Sequence, residues 1–427
     1  MLSRNSPHPN PLPEYRARKC AARREPRPPL VLVALILAVV SLAPARAGEM
    51  RQLETRHYKI HTDLDQPLAE ELGQGLEAMY DEYSRRLAAF SAESTDPTLV
   101  VYLFRKHEDY NAFTKNRAPN TGGVFLPQQK KLAAYYEGQG RDALRRALQH
   151  EAFHQFAYSA ISPKLPPWLN EGLAVLFEEG IWIGDGFQLG EVPPRRVRQL
   201  RADQAGNRLT DFREFMKITN ERWTEQLNRE PGLGAAQYNQ AWAMVHFLVF
   251  AQENGQFKYR KRFIDMLRVI HEGTEPQAAF ERAMSKNVDG FQSRFSEFVA
   301  SVTATERATL IERQEVLGDM LIELNRMGKR YDRIGDFRND MASNGYRLQY
   351  SKNEVKWSSE PDPRVYFKTT DGRILRDDEL FFASRQNAPL PDLVYRGPGE
   401  LKLRMKFYEI ANAVQHELIV EGTGSGR

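Results

Sequence analysis

The chain has 427 residues, of which 27% are charged and 41% hydrophobic, and its formal net charge is +4. This composition excludes collagen-like and disordered proteins, and the length is sufficient for two or three domains. A mixed β-rich and helical stretch is followed by a mostly helical one and then by a helical segment with short strands, and this segregated order predicts an α+β fold.

The first 47 residues have the character of a secretory signal peptide. Leu30 to Ala43 is an apolar run, preceded by several Arg and Lys and followed by Ala45-Arg46-Ala47, a small-residue cleavage pattern. The run is shorter than the roughly 20 residues of a bilayer span. We therefore predict a cleaved leader over residues 1–47 and an exported protein, periplasmic or secreted. The alternative is a membrane anchor formed by residues 30–43.

The leader also carries most of the positive charge. It contains eight Lys and Arg and two Glu, so that the remainder has 52 basic and 54 acidic residues, a net charge of −2. A near-neutral mature chain gives no reason to expect nucleic acid as a partner. The single cysteine, Cys20, lies in the leader, so the predicted mature protein has no disulfide.

Residues 48–140 are predicted to form a small α/β lobe. Leu68 to Phe90 has a helical period, and Thr98 to Phe104 is a β-rich run typical of a central strand. Gly122 to Phe125 and Lys131 to Tyr136 are separated by a polar turn, which predicts a hairpin.

The sequence is mainly helical over residues 141–302, the second predicted lobe. One helix begins at about Asp142, and a second runs from about Trp168 to Glu179. A third, Ala235 to Gln252, is apolar nearly all round and is therefore predicted to be buried.

Residues 303–427 are predicted to be a C-terminal α+β accessory domain of unknown role. Glu306 to Met341 indicates charged helices, Leu348 to Leu403 short strands, and Leu401 to Gln415 a last helix. No recognisable chemistry is encoded here, so packing on the rest of the protein or binding of a protein partner is the expected role.

An H-E-x-x-H motif lies at residues 150–154. Residues four apart project from one face of a helix, so His150 and His154 can bind one metal ion. Glu151 lies beside them, in the position of a base for a metal-bound water. For this motif alone, an ordinary helix with a surface histidine pair is the alternative.

The second half of the motif is Trp168-Leu169-Asn170-Glu171-Gly172, on its own predicted helix. Glu171 would be the third protein ligand of the metal ion. Three protein ligands leave the fourth position open for water or substrate, which distinguishes a catalytic zinc site from a structural one.

Together the two motifs resemble those of the gluzincins, the zinc peptidase class that contains thermolysin and aminopeptidase N. They are most similar to bacterial exported proteins with a peptidase MA-like domain, over about residues 50–300. The resemblance implies a helical zincin lobe and one Zn²⁺ bound by His150, His154 and Glu171. It also implies that Glu151 is the catalytic base.

The residues around Glu171 are especially similar to the aminopeptidase N branch. In that branch an acidic residue seven positions after the ligand glutamate supports a ligand histidine, and here that position is Glu178. Seven residues return to nearly the same helix face, so Glu178 can reach the back of the site. Asn170 is the other predicted supporting residue. A surface carboxylate is the alternative for Glu178.

The same branch has a tyrosine at the start of a downstream helix, which hydrogen-bonds the oxyanion of the tetrahedral intermediate. The corresponding residue here is Tyr238. Its helical spacing to Trp242 and Val245 makes a buried core tyrosine the alternative. His246 is a second candidate for the oxyanion donor, although its place in an apolar helix favours a packed histidine.

The chain also departs from the family pattern. The Gly-x-Met-Glu-Asn motif that binds a substrate amine in aminopeptidases is missing, because residues 131–138 read KLAAYYEG and offer only Glu137. The aspartate that supports the site of thermolysin, four residues after the ligand glutamate, is also absent here. We therefore predict an endopeptidase whose peptide or protein substrate pairs along the edge of the 122–136 hairpin. The alternative, from another class, is an exported but inactive peptidase-like binding or scaffold protein.

Overall fold

The computed structural model of the chain describes residues 2–3, 50–91, 98–184, 186–229, 231–352, 355–397, 401–410 and 413–421. Over these residues the predicted α+β class is confirmed. The predicted leader lies outside them except for β1 (Leu2–Ser3), which pairs in parallel with residues 348–349. Among the described residues, none of the helices combines the length and apolar character that crossing a bilayer requires.

A mixed five-stranded sheet forms the first part of the protein, in the order β2-β3-β4-β6-β5. As predicted, the run LVVYLF is its central strand, paired in parallel on both sides. The predicted hairpin is also present, and its first strand, β5, forms one edge of the sheet. The strands are β2 (Arg51–Glu54), β3 (Tyr58–Thr62), β4 (Leu99–Phe104), β5 (Gly123–Leu126) and β6 (Lys131–Tyr135).

Three helices accompany this sheet: α1 (Gln66–Arg86), α2 (Ala88–Ser91) and α3 (His107–Thr114). The Asp65 carboxylate accepts a hydrogen bond from the Leu68 backbone N–H at 3.1 Å, which satisfies a free donor at the start of α1. The Tyr83 hydroxyl near the other end of α1 donates to the Gln149 carbonyl at 2.7 Å. This bond fixes α1 against the next long helix of the chain, α4 (Arg141–Phe156).

The two motif helices follow: α4 (Arg141–Phe156), which continues into a π-helical turn at Ala157–Ile161, and α5 (Pro167–Glu178). α5 begins with Pro167, whose fixed backbone angle suits the first turn of a helix. It packs against a later helix, α9, with unusual closeness at Gly172. A Cβ atom on Gly172 would lie only 2.5 Å from the Ala241 carbonyl oxygen, so a larger side chain does not fit.

The remaining helices of this part enclose α5 and α9. α9 is buried along most of its length, as its apolar sequence predicted. Two short hairpins lie between helices of this part. β7 (Ile181–Trp182) pairs with β8 (Phe187–Gln188) after α5, and β9 (Gln252–Glu253) pairs with β10 (Gln256–Phe257) after α9. The helices are α6 (Pro194–Ala205), α7 (Phe212–Met216), α8 (Asn220–Arg229), α9 (Pro231–Phe250), α10 (Arg260–His271), α11 (Pro276–Ala283) and α12 (Val288–Ser301).

The C-terminal part contains two helices, a short hairpin, a 3-10 helix (Pro363–Phe367) and an antiparallel sheet in the order β13-β14-β15-β16. Its helices are α13 (Glu306–Arg326) and α14 (Ile334–Asn344), and its strands are β11 (Leu348–Lys352), β12 (Val355–Ser358), β13 (Leu380–Ala383), β14 (Asp392–Arg396), β15 (Lys402–Ile410) and β16 (Ala413–Glu421).

The prediction of a last helix over residues 401–415 is wrong. This stretch forms β15 and the beginning of β16, which pair as an antiparallel hairpin. Leu403, Met405 and Phe407 are buried whereas the residues between them are not. Alternate burial is the period of a strand, and it outweighs the helical propensity of the polar residues.

Two large hydrophobic clusters stabilise the described residues. The first contains buried residues from Tyr58 to Val302, and the second contains residues from Leu310 to Val420. Ile181 and Ile183, which follow α5 in sequence, pack against the second cluster. The predicted domain limits at 140 and 302 stay predictions.

Candidate metal centre

Three side chains converge where α4 passes α5. The Nε2 atoms of His150 and His154 lie 3.3 and 3.5 Å from Glu171 Oε2. Potential ligand atoms of these residues all lie within 4.8 Å of one another. The group can therefore bind a metal ion with two nitrogens and one oxygen, a donor set typical of zinc sites.

The other nitrogen of each imidazole is held by a neighbouring side chain. His150 Nδ1 donates to Glu178 Oε2 at 3.1 Å, and His154 Nδ1 donates to Asn170 Oδ1 at 3.1 Å. With the proton on Nδ1, the lone pair of each Nε2 is directed toward Glu171. The structure thus places both Asn170 and Glu178 against the histidines that they were predicted to support.

The electrostatics at Glu171 suit a cation. Burial alone would raise the pKa of the Glu171 carboxyl, but His154 and His150 lower it to about 2. Burial likewise opposes protonation of His150, yet Glu171, Glu178 and Glu151 raise its pKa well above the usual value. No donor in the described residues is oriented to hydrogen-bond Glu171 Oε2, although this atom is buried. At a buried carboxylate oxygen beside two imidazole nitrogens, a metal ion can replace the protons that the histidines would otherwise carry.

Glu151 lies on the side of the centre nearest the sheet. Its Oε2 accepts a hydrogen bond from the Phe125 backbone N–H at 2.8 Å. Phe125 is in the edge strand β5, and its N–H points away from β6. The carboxylate of the predicted base therefore lies between the ligand histidines and an open strand edge.

Tyr238 is also at the centre. Its ring centroid lies 6.4 Å from that of His150, and it packs edge-on against Trp223 at 5.5 Å. Burial, then the charge of Glu171, raises the pKa of Tyr238 well above its usual value. The hydroxyl consequently stays protonated over the physiological range and can act as a hydrogen-bond donor.

The other two candidates are placed differently. His246 packs beside Trp242 and Phe250, its Nε2 lies 3.3 Å from the Gly190 carbonyl oxygen, and it does not line the cleft that contains the metal centre. The Glu137 carboxylate accepts a hydrogen bond from the backbone N–H of His107 at 3.1 Å and does not line that cleft either.

One of the three candidate ligands, His150, lines a large cleft with a volume of about 1420 Å³, and so does the predicted base, Glu151. His150, Glu151 and Tyr238 belong to one wall, together with parts of α5 and α6. The other wall comes from the C-terminal part and includes one face of α13, residues 358–360 and the beginning of β16. The metal centre therefore faces a space that the C-terminal residues help to enclose.

Two buried glutamines that the sequence did not identify hold α4 in place. The Gln149 side chain donates to the carbonyls of Phe177 and Gly180 at 3.1 and 3.0 Å, which ties α4 to the end of α5. Gln155 donates to the carbonyls of Val100 and Lys130 at 3.1 and 3.2 Å, which ties α4 to the sheet. Their positions beside the two ligand histidines were visible in the sequence, but their backbone partners are distant in the chain.

A family model described as "Protein of unknown function (DUF1570)" matches residues 146–269. This range contains His150, Glu151, His154, Glu171 and Tyr238. Its description assigns no activity. Among curated proteins, none matches the chain.

Proposed function

We propose that the protein is a zinc-dependent peptidase, and that it acts as an endopeptidase rather than as an aminopeptidase. The observation that carries this proposal is the convergence of His150, His154 and Glu171, each histidine fixed through its second nitrogen. A structural zinc site commonly has four protein ligands, whereas three protein ligands and an adjoining cleft are typical of a catalytic one.

His150, His154 and Glu171 would hold the ion, which when bound supplies Lewis-acid activation of a water molecule and of the scissile carbonyl. Glu151 accepts the proton of the attacking water and returns it to the leaving amine. The Tyr238 hydroxyl donates a hydrogen bond to the developing oxyanion. The position of each side chain beside the ligands supports these roles.

The open edge of β5 supports an extended peptide as the substrate. In an antiparallel pair, the residues whose N–H and C=O groups point outward alternate along the edge strand. Phe125 is one of these, although its N–H already donates to Glu151, and Gly123, which lines the cleft, is the next. A peptide added along this edge would pass the metal centre with its main chain hydrogen-bonded.

An endopeptidase is favoured over an aminopeptidase because no carboxylate is available for a substrate amine in the expected place. The only acidic side chain of the corresponding segment, Glu137, is bonded to the His107 backbone. We further propose that the protein is exported, which rests on the predicted leader alone.

Zinc content is the first test. We expect about one zinc ion per chain in the wild-type protein and little or none in Glu171→Ala. Glu178→Gln should retain zinc but bind it about 10- to 100-fold more weakly, because the orientation of His150 is lost. A folded wild-type protein without affinity for zinc would overturn the proposal and favour the binding or scaffold alternative.

Hydrolysis is tested with a quenched peptide library of acetylated and free N-termini. Glu151→Gln should keep its zinc while kcat falls by about 10²- to 10⁴-fold, since this is the usual contribution of a general acid–base. Acetylated peptides should be cleaved as well as free ones. A Glu151→Gln variant with the turnover of the wild type would contradict the mechanism.

A further inference from the structure

The C-terminal wall of the cleft presents charged side chains to the same space as the metal centre. Glu312, Val316, Asp319 and Glu323 line it from α13. Their spacing of three or four residues places them on one face of that helix. Any peptide bound at the metal centre and extended along the cleft therefore passes this face.

Seven arginines line the cleft, and six of them form an ion pair with a carboxylate. A guanidinium that already binds a carboxylate has fewer donors left for an incoming ligand. The pairs are Arg146–Glu315, Arg195–Glu179, Arg196–Glu179, Arg198–Glu312, Arg208–Asp203 and Arg326–Glu323.

Arg313 is the exception. Its Nη1 donates to the Lys368 carbonyl at 2.6 Å, and within the described part of the chain no carboxylate lies at ion-pair distance from it. Glu312 and Glu360 act on it only at longer range, and half-burial lowers its pKa despite them. An arginine keeps its charge even when it is partly buried, and its planar guanidinium has the geometry that a carboxylate binds with two oxygens.

We propose that Arg313 is a specificity residue that binds a carboxylate of the peptide substrate, remote from the scissile bond. The carboxylate belongs either to an acidic side chain or to the C-terminus of the peptide, and both offer the two oxygens that a guanidinium binds best. That the ligand is a peptide rests on the proposed peptidase function. It assigns to the C-terminal residues a part in substrate selection.

The test is peptide binding to zinc-loaded Glu151→Gln protein, in which hydrolysis is suppressed. The probes are four short N-terminally labelled peptides that differ at two places. One position is either Glu or the neutral Gln, the C-terminus is either free or amidated, and all other residues are uncharged. Fluorescence anisotropy gives the dissociation constants. Because the binding signal does not require turnover, it is read independently of the hydrolysis assay.

We expect at least one carboxylate-bearing peptide to bind about 10-fold more tightly than the amidated Gln peptide, the effect of one charge-assisted pair. The amidated Glu peptide and the free-terminus Gln peptide show which source is preferred. Arg313→Gln should abolish the preference and leave binding of the neutral peptide unchanged, whereas Arg313→Lys should keep part of it. Arg326→Gln is the matched control, because Arg326 lines the same cleft but is already paired.

The preference should also weaken as salt is added. Equal binding of all four peptides by the wild type, absence of binding, or a preference that survives Arg313→Gln in a folded protein would each overturn the assignment. If zinc binds and peptides are cleaved, such a result leaves the peptidase proposal standing. Conversely, an Arg313-dependent preference without any hydrolysis by the Glu151-containing protein would overturn the peptidase proposal alone.

Discussion

The two walls of the cleft are held in different ways. The wall with the metal centre belongs to helices embedded in the first hydrophobic cluster, where α5 contacts α9 so closely that Gly172 has no room for a side chain. The C-terminal residues of the second wall are joined to the first by ion pairs and hydrogen bonds. Examples are Arg146 with Glu315 at 3.2 Å and Arg145 with Glu417 at 3.0 Å.

This difference separates two physical tasks. Metal ligands must keep their relative positions to within a fraction of an ångström, and close apolar packing provides that stiffness. The separation of the walls depends in part on charged contacts, and the more exposed of them, such as Arg198 with Glu312, contribute little individually and weaken with salt. Chemistry and cleft shape should therefore respond differently to mutation.

The largest effect is expected from Gly172→Ala, which attacks the packing of the first wall. The new Cβ would overlap the Ala241 carbonyl oxygen and Val245 Cγ2, at 2.5 and 2.6 Å. We expect a loss of about 3 kcal/mol in the free energy of unfolding, measured with denaturant, together with weaker zinc binding. Gly75→Ala in α1 is the control: nothing lies within 4 Å of its Cβ, so this change should stabilise the protein slightly. Equal effects of the two changes would show that α5 and α9 can separate freely.

A second effect should come from the burial of His246 on α9, the helix that packs against α5 of the same wall. Burial lowers the pKa of His246 to about 4, below the unfolded value of 6.5. Because the unfolded chain then binds the extra proton between pH 6.5 and 4, the free energy of unfolding should fall by about 2 to 3 kcal/mol as pH is lowered through that range. His246→Gln should lack this contribution, measured as the difference between variant and wild type in the presence of a chelator. The same pH dependence in both proteins would mean that His246 is accessible to protons when folded.

The smallest effect is expected from Glu312→Gln at the second wall. Glu312 accepts hydrogen bonds from the Arg195 backbone N–H at 2.9 Å and from Arg198 at 2.6 Å. Since Arg198 is largely exposed, we expect a loss of less than about 1 kcal/mol in the free energy of unfolding, and a smaller loss at high salt. A loss as large as that of Gly172→Ala would remove the distinction between the walls.

The metal centre could be predicted from the sequence because its parts are near one another in the chain. His150 and His154 are one helical turn apart, and Glu171 and Glu178 follow on the next helix after a short connector. Periodicity therefore places each pair on one face of its own helix. The short connector and the resemblance of the two motifs to those of the gluzincins predicted that these faces meet. The central strand, the edge hairpin and the buried helix α9 were predictable for the same local reasons.

The second wall could not be predicted, because its contacts join residues that are distant in the sequence. Glu315 and Glu417 look like ordinary surface carboxylates until their arginine partners on α4 are known. The mistaken helix at 401–415 has a related cause. Its alternation of apolar and polar residues becomes decisive only beside β14 and β16, whose pairing buries Leu403 and Met405.

The contact between the first turn of α4 and the last strand of the chain has a consequence for the order of folding. The Leu418 backbone N–H donates to Asp142 Oδ2 at 2.8 Å, across 276 positions of the sequence. During synthesis the ligands on α4 and α5 emerge long before β16 exists, so the helices can assemble while the far side of the cleft is still absent. A nascent chain would thus bring together the three side chains that can bind a metal ion before it acquires the other wall of the cleft.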